Sequence, residues 1–192
     1  MRIAGGKYRG QSLKAPKSGD IRPTQESVRE ALFSILMGTV PGSRFLDLFS
    51  GSGAVGIEAL SRGAAHATLV EANPRHLAVI KANITAILGE NAQKAAVVRA
   101  DAYSWLAGFG GAPYDIVFAD PPYALGEERG YEKVLATLAM RGVVKEGGFF
   151  VAEMTSRQKA VAPEGWEVFR DRCYGKTRLV VWQRLRALPD AI

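Results

Sequence analysis

Four consecutive residues, Asp120-Pro121-Pro122-Tyr123, have the chemistry needed to hold an exocyclic amino group on a flat base. They follow the β-branched and aromatic run Tyr114–Ala119, which is typical of a buried strand. The Asp120 carboxylate can accept one N–H, and the Pro121 carbonyl, held extended by the proline after it, can accept another. Tyr123 offers a ring on which a base can stack, a contact worth roughly 1–3 kcal/mol. A plain proline-rich turn is the alternative interpretation.

A glycine-rich stretch, Gly51-Ser52-Gly53-Ala54-Val55-Gly56, follows the first predicted strand and opens a helix. Glycines at these positions allow a tight turn and a close approach of the backbone to a ligand. Glu71 lies twenty residues after Gly51, at the end of the second predicted strand, where it can accept both hydroxyls of a ribose. This spacing fits either a dinucleotide or S-adenosylmethionine, and a solvated strand-end charge is the other interpretation of Glu71.

Two further carboxylates favour S-adenosylmethionine as the cofactor. Asp47 stands just before the glycine loop, where it suits a cationic sulfonium and ammonium but would repel a pyrophosphate. Asp101 ends the third predicted strand, where it can accept the adenine amino group or cap the following helix. Asp47 could also serve only to cap a backbone N–H. The other expected cofactor contacts adjoin these residues and are Phe49, Ser52, Ala72, Ala102 and Asp120.

The elements that position these residues alternate between strands and helices from residue 44 onward. Strands are predicted at 45–49, 67–71, 95–99, 114–119 and 148–153, and helices at 54–62, 74–88, 102–109 and 131–140. A helix after Thr24 precedes them, and a turn at Gly147-Gly148 is expected before the strand at 148–153. Two short strands around residues 8–11 are expected to form a hairpin or an extended arm. Two strands at 166–173 and 177–182 are expected to close the sheet as an antiparallel pair. Repeated βα units predict a parallel sheet covered on both faces, with ligands beyond the strands' carboxyl ends.

Composition narrows the class of protein. The chain has 192 residues, 47% of them hydrophobic, which is enough for one domain with a sizeable core. Cys173 is the one cysteine, so it excludes an internal disulfide and a cysteine zinc cluster, and it is interpreted as a buried small side chain. The chain shows no signal core or bilayer-length apolar run, and no metal cluster is expected. These features predict a soluble cytoplasmic protein.

Positive charge is concentrated at the two ends of the chain. Residues 1–30 carry seven Lys and Arg against three acids, residues 157–192 carry eight against four, and the middle has a slight acidic excess. This distribution is typical of a protein that binds a polyanion, although ordinary solubilising charge is the alternative. The residues predicted to contact phosphates are Lys7, Arg9, Lys14, Lys17, Arg22, Lys176 and Arg178.

The order of Asp47, Gly51-x-Gly53, Glu71, Asp101 and Asp120-Pro-Pro-Tyr123 resembles the class I S-adenosylmethionine-dependent methyltransferases that modify exocyclic amino nitrogens. The segments Arg2-Ile-Ala-Gly-Gly-Lys-Tyr-Arg-Gly10, Arg22-Pro-Thr24 and Tyr174-Gly-Lys-Thr177 make the chain similar to the small bacterial RsmD-type enzymes. The resemblance implies a Rossmann-like seven-stranded, mostly parallel sheet with an antiparallel last strand. It also implies a small N-terminal β-hairpin extension, placed at residues 1–23 ahead of a catalytic domain at 24–192.

The same resemblance implies a reaction and a partner. The activity would be methyl transfer from S-adenosylmethionine to the N2 of a guanine in 16S ribosomal RNA. The substrate would be the 30S subunit or a late assembly intermediate, and a monomer is expected. A DNA adenine-N6 methyltransferase shares the Asp-Pro-Pro-Tyr motif, but little chain remains here for a target-recognition domain. A non-catalytic RNA-binding assembly factor and a nucleotide-dependent oxidoreductase are the remaining alternatives.

Overall fold

A computed structural model describes residues 1–16, 26–121 and 131–186. The strands are β1 (Arg44–Leu48), β2 (His66–Glu71), β3 (Ala95–Arg99), β4 (Tyr114–Ala119), β5 (Val144–Thr155), β6 (Trp166–Tyr174) and β7 (Thr177–Arg184). The helices are α1 (Glu26–Ile35), α2 (Ala54–Ser61), α3 (Pro74–Leu88), α4 (Ala102–Ala107) and α5 (Tyr131–Met140), with a 3-10 helix at Gly89–Lys94. None of these helices combines the length and the hydropathy needed to cross a bilayer.

All seven strands form one sheet in the order β3-β2-β1-β4-β5-β7-β6. Strands β1 to β5 lie parallel to their neighbours, whereas β7 runs antiparallel to both β5 and β6. This confirms the predicted Rossmann-like α/β fold, mostly parallel with an antiparallel last strand. The strand order changes direction between β1 and β4, so their carboxyl ends flank the position where open α/β sheets bind ligands.

Side chains alternate between two buried layers, one on each face of the sheet. In β1, Phe45 belongs to the layer that also contains side chains of α1, α2 and α3, while Leu46 and Leu48 belong to the layer with α4 and α5. A central strand covered on both faces is apolar at almost every position. A polar residue buried in such a strand therefore requires its own explanation, and Asp47 is one.

The N-terminal segment, residues 1–16, folds back onto the first of these layers. Ile3 and Leu13 are buried there, and one antiparallel bridge joins Arg2 to Ser12. The Gly10 N–H donates to the Ile3 carbonyl at 2.8 Å, which closes a hairpin-like loop. The predicted strands around residues 8–11 were misplaced, since Tyr8 and its neighbours form the turn of this loop.

Two other sequence predictions were wrong in detail. Strand β5 begins at Val144 and not at Gly148, because the two glycines predicted to form a turn make a bulge inside the strand. Gly147 has a φ of 76°, and a Cβ on Gly148 would lie 2.8 Å from the Asp115 carbonyl oxygen. Cys173 is exposed, as are most residues of β6, the outermost strand of the described sheet.

A buried ionic cluster, the Glu58 network, ties the N-terminal segment to α1 and α2. Glu58 Oε2 accepts the Arg29 Nε–H at 3.2 Å and the Ala4 N–H at 3.2 Å. Glu58 Oε1 accepts two N–H groups of Arg62, at 3.0 and 2.8 Å. The side chains of Arg29 and Glu58 are 0% exposed, and Arg29 also donates to the Arg2 carbonyl at 2.6 Å. Because the charges are paired and hydrogen-bonded, their attraction offsets the desolvation penalty of burying them.

Candidate cofactor and target-base site

The glycine loop between β1 and α2 is shaped by close packing. Gly51 and Gly53 have φ values of 56° and 78°, a conformation that favours glycine. A Cβ on Gly56 would lie 2.9 Å from Leu69 Cγ, so this glycine lets α2 pack directly against β2. The loop therefore presents its backbone at the carboxyl end of β1, as the sequence predicts for a cofactor loop.

Asp47 lies beneath this loop and is 1% exposed. Its Oδ2 accepts the Gly56 N–H at 2.9 Å, so the capping role foreseen as an alternative is present. Burial raises the pKa of Asp47 to about 7, with the Gly56 hydrogen bond opposing the rise and the nearby Glu71 charge adding to it. A carboxyl group in this state would be stabilised as a carboxylate by a cation, which is what a sulfonium or an ammonium supplies.

Glu71 ends β2 and holds the glycine loop from the side. Its two carboxylate oxygens accept the Gly51 N–H at 2.9 Å and the Asn73 N–H at 2.8 Å. The interpretation of Glu71 as a merely solvated charge is therefore wrong. A carboxylate has about four lone-pair positions, so two accepted bonds leave capacity for ribose hydroxyls.

Asp101 follows β3 and caps α4. Its Oδ1 accepts both the backbone N–H and the hydroxyl of Ser104, each at 2.9 Å. This is the capping role anticipated for it, and adenine recognition by Asp101 stays a prediction.

Phe49 has a φ of 62°, unusual for a residue with a side chain, and its ring meets Tyr103 edge-on with 5.5 Å between the ring centroids. Backbone strain of this kind concentrates at ligand sites.

Asp120 follows β4 directly, at the same sheet edge as the glycine loop. The pairing of Ala119 with Leu48 on one side and Ala152 on the other places Asp120 beside Phe49 and Glu153 in the sheet order. Asp120 is half-buried and Pro121 is buried. Pro122 and Tyr123 lie outside the described residues, so base stacking on Tyr123 stays a prediction.

The residues predicted to bind RNA fall into distinct environments. Lys7, Arg9 and Lys14 are exposed on the N-terminal segment, and Lys176 is exposed in the β6–β7 turn. Arg178 Nε donates to Asp171 Oδ1 at 2.8 Å, and this pairing holds the pKa of Asp171 below its usual range. The Arg178 guanidinium thus contributes to the hairpin itself. Lys17 and Arg22 lie outside the described residues.

Two residues at the site were missed by sequence reasoning. His76 was assigned no role, yet its Nδ1 lies 3.5 Å from Glu71 Oε1. Asn83, on α3, is 1% exposed and donates to the Ser52 carbonyl at 2.9 Å. His76 follows Glu71 by five residues at the start of a helix, which was an available signal. Asn83 had no local signal, since an asparagine within a helix usually faces solvent.

Known proteins resemble this chain along nearly its whole length. The sequence model of the family described as conserved hypothetical protein 95 matches residues 1–183. Ribosomal RNA small subunit methyltransferase D of Escherichia coli (strain K12) is 36% identical over 185 residues, covering 96% of this chain and 90% of that protein. Putative rRNA methyltransferase YlbH of Bacillus subtilis (strain 168) is 33% identical over 192 residues, covering 96% and 99%. The solved structure of putative methyltransferase yhhF from Escherichia coli superposes with a TM-score of 0.83, at 33% identity and covering 97% and 99% of the two chains.

Proposed function

Because the chain belongs to the family described as conserved hypothetical protein 95, we propose that it transfers a methyl group from S-adenosylmethionine to a guanine N2 in 16S ribosomal RNA. The relatives named as ribosomal RNA methyltransferases support the reaction class and the RNA. The observation that carries the proposal is the alignment of four carboxylates, Asp47, Glu71, Asp101 and Asp120, at the carboxyl ends of four neighbouring strands. An oxidoreductase would leave Asp120 without a role and would give Asp47 only the Gly56 N–H to bind.

The residues around the glycine loop fit S-adenosylmethionine. In this assignment Asp47 supports the cationic end of the cofactor, Glu71 binds the ribose hydroxyls and Asp101 accepts the adenine amino group. Phe49, Gly51, Ser52, Gly53, Ala72 and Ala102 complete the predicted contacts along the same edge. When bound, the cofactor would supply an electrophilic methyl group carried on a sulfonium, and the sulfonium would lose its positive charge on transfer. The fit is supported by Asp47, a deeply buried carboxyl with a pKa of about 7 and thus a natural partner for a cation.

Asp120 and Pro121 are proposed to orient the target amine. A guanine amino nitrogen is a poor nucleophile because its lone pair is delocalised into the ring. Hydrogen bonds to the Asp120 carboxylate and the Pro121 carbonyl would favour a pyramidal nitrogen and direct its lone pair toward the methyl group. Such positioning supplies much of the acceleration in a direct transfer. The target base must leave its stack to arrive there, at a cost of a few kcal/mol that is smaller in an RNA loop.

The N-terminal segment is proposed to hold the RNA backbone. Lys7, Arg9 and Lys14 are exposed on this segment. The Lys7 N–H bonds the Ser61 carbonyl at the C-terminal end of α2, and Lys14 bonds Asn83, which also bonds the glycine loop at Ser52. In this proposal residues 1–23 are the RNA-binding extension of a catalytic domain at 24–192. The partner is a 30S subunit or a late assembly intermediate, the enzyme acts as a monomer, and it works in the cytoplasm.

Charge reversal at Lys7→Glu, Arg9→Glu and Lys14→Glu together should weaken RNA binding and flatten its salt dependence. Each phosphate contact contributes roughly 0.7–0.9 to the slope of log affinity against log salt, so the slope should fall by about two. Filter binding of a 16S transcript over a salt series measures this. The matched control reverses three exposed charges elsewhere, at Lys133, Arg141 and Arg170. Equal slopes for the two triple variants would place the RNA contact outside the N-terminal segment.

Cofactor binding should release a proton near neutral pH. In the free protein the pKa of Asp47 is about 7, so the carboxyl is largely protonated below that pH. A bound cation favours the carboxylate and lowers this pKa, so affinity should rise with pH up to about 7 and then level off. Calorimetry at pH 7 in two buffers of different ionisation enthalpy should detect release of about half a proton. Asp47→Asn should abolish the release, and persistence of the release in that variant would assign it to another group.

The reaction itself is tested by product analysis. Methyl-labelled S-adenosylmethionine is incubated with under-methylated 30S subunits, naked 16S RNA and duplex DNA, and each product is digested to nucleosides. Label in N2-methylguanosine from the RNA samples is the expected result. Label in N6-methyladenine from DNA would reassign the substrate while keeping the amine chemistry. No label, with the cofactor bound, would favour a non-catalytic assembly factor.

A further inference from the structure

The side-chain amide of Asn83 bonds two parts of the chain that lie far apart in sequence. Its Nδ2 donates to the Ser52 carbonyl at 2.9 Å and to the Lys14 carbonyl at 2.9 Å. Its Oδ1 accepts the Lys14 N–H at 2.9 Å. The amide orientation is fixed, because a flipped amide would set its oxygen against two carbonyl oxygens. Because Asn83 is only 1% exposed, water competes poorly for these hydrogen bonds.

At one end, this amide completes the support of the cofactor loop. Ser50 is anchored by its N–H to the Val70 carbonyl at 3.0 Å, and Gly51 by its N–H to Glu71 at 2.9 Å. Both anchors come from β2. The Ser52 carbonyl is anchored from the opposite side, by Asn83 on α3. The position of the loop therefore depends on the position of the Asn83 amide.

The same amide also bonds the N-terminal segment. It pairs with both the N–H and the carbonyl of Lys14, as the backbone of a neighbouring β-strand would. Other contacts hold the same segment onto α2 without contacting the loop. The Ser61 hydroxyl donates to the Gly5 carbonyl at 2.7 Å and accepts the Tyr8 N–H at 2.9 Å. Ser61 is 4% exposed, so its bonds are as protected as those of Asn83. The two residues differ in that Asn83 connects the segment to the cofactor loop.

We infer that Asn83 is a positioning residue that couples the N-terminal segment to the cofactor loop, so that RNA bound at Lys14 and cofactor bound at Ser52 strengthen each other. The identity of the RNA ligand rests on the proposed function. Ordering residue 14 orders the Asn83 amide, and the ordered amide lowers the entropic cost of fixing the Ser52 carbonyl. Coupling of this kind is reciprocal, so the cofactor must raise RNA affinity by the same factor.

The first test needs no RNA and measures S-adenosylhomocysteine affinity by calorimetry. Asn83→Ala removes the coupling amide, and Lys14→Pro removes the N–H that the amide accepts. Both should weaken binding at least about fivefold, the lower end of usual coupling. Their controls are Ser61→Ala, which loosens the segment elsewhere, and Lys14→Ala, which keeps the backbone N–H. The controls should stay within about twofold of the unmodified protein. Equal losses in Asn83→Ala and Ser61→Ala would reduce Asn83 to a structural role and overturn the inference.

The second test adds a naked 16S transcript at fixed salt. In the unmodified protein and in Ser61→Ala, the transcript should increase S-adenosylhomocysteine affinity. The ratio of the affinity with transcript to the affinity without it should fall toward one in Asn83→Ala. A ratio that is unchanged by Asn83→Ala would overturn the coupling. Transcript binding without any methylated nucleoside would defeat the proposed function while leaving the coupling measurable. If neither the transcript nor an under-methylated 30S subunit binds the unmodified protein, both the RNA assignment and its coupling to the cofactor are overturned.

Discussion

Asp120→Ala should lower methyl transfer at least about 100-fold, a loss typical of removing one group that stabilises a transition state. S-adenosylhomocysteine affinity should remain within about threefold of the unmodified protein. The separation is expected because Asp120 lies at the end of β4, whereas the loop and Glu71 that support the cofactor lie on β1 and β2. Single-turnover transfer to 30S subunits and calorimetric binding are the paired measurements. Equal losses in both would show that Asp120, which the sequence also predicts to contact the cofactor, acts mainly on the cofactor and not on the target base.

Asp120→Asn refines the same experiment. Its side-chain carbonyl can accept an N–H from the target amine, but it cannot take up the proton that the amine loses. Activity close to that of the unmodified protein would show that hydrogen bonding suffices and that water receives the proton. Activity as low as that of Asp120→Ala would show that the carboxylate itself is required.

Glu58→Ala should destabilise the fold by about 3–5 kcal/mol, because it removes the carboxylate that neutralises the fully buried Arg29 guanidinium at 3.2 Å. For a chain of this length that corresponds to a fall in melting temperature of roughly 10 °C. Thermal unfolding followed by circular dichroism gives the measurement. A loss of stability below about 1 kcal/mol would mean that the other interactions of Arg29 compensate for the loss of Glu58.

Two further variants separate charge burial from packing in the Glu58 network. Arg62→Ala removes a partner of Glu58 whose side chain is 25% exposed and therefore partly solvated. It should lower the free energy of unfolding much less than Glu58→Ala does. The double variant Arg29→Met with Glu58→Leu removes both buried charges and should recover most of the lost stability, because apolar pairs often replace buried ion pairs without loss. If the double variant does not recover stability, the loss is due to the other contacts of these two side chains, including those with Arg2, Ala4 and Arg62.

Local chemistry was sufficient to predict the parallel half of the sheet and the carboxylates at the carboxyl ends of its strands. Helix α3 begins and ends as predicted, because Asn73 caps it, Pro74 occupies its first turn and Gly89 follows its last residue. The strand-end rule also located Glu71 and Asp101. Each of these signals lies within a few residues of the feature that it determines, so no long-range packing was needed to find it.

What the sequence could not predict depends on contacts between distant residues. Asn83 is 69 residues from Lys14, and its role exists only once α3 packs beside the N-terminal segment. The Arg29–Glu58 pair likewise joins two helices across 29 residues. The bulge at Gly147 was interpreted as a turn, because a glycine pair has the same local preference in either setting. Only the pairing with β4 distinguishes the two.

The placement of β7 has a consequence for the order of folding. β7 follows β6 in the chain but lies between β5 and β6 in the sheet. A two-residue turn, with Gly175 at a φ of 60°, joins β6 to β7, so that hairpin can close at little entropic cost. Pairing of β7 with β5 must instead close the loop from Thr155 to Thr177. We therefore expect the hairpin to form first and to dock onto β5 as a unit, burying Trp182 against Phe150 in that later step.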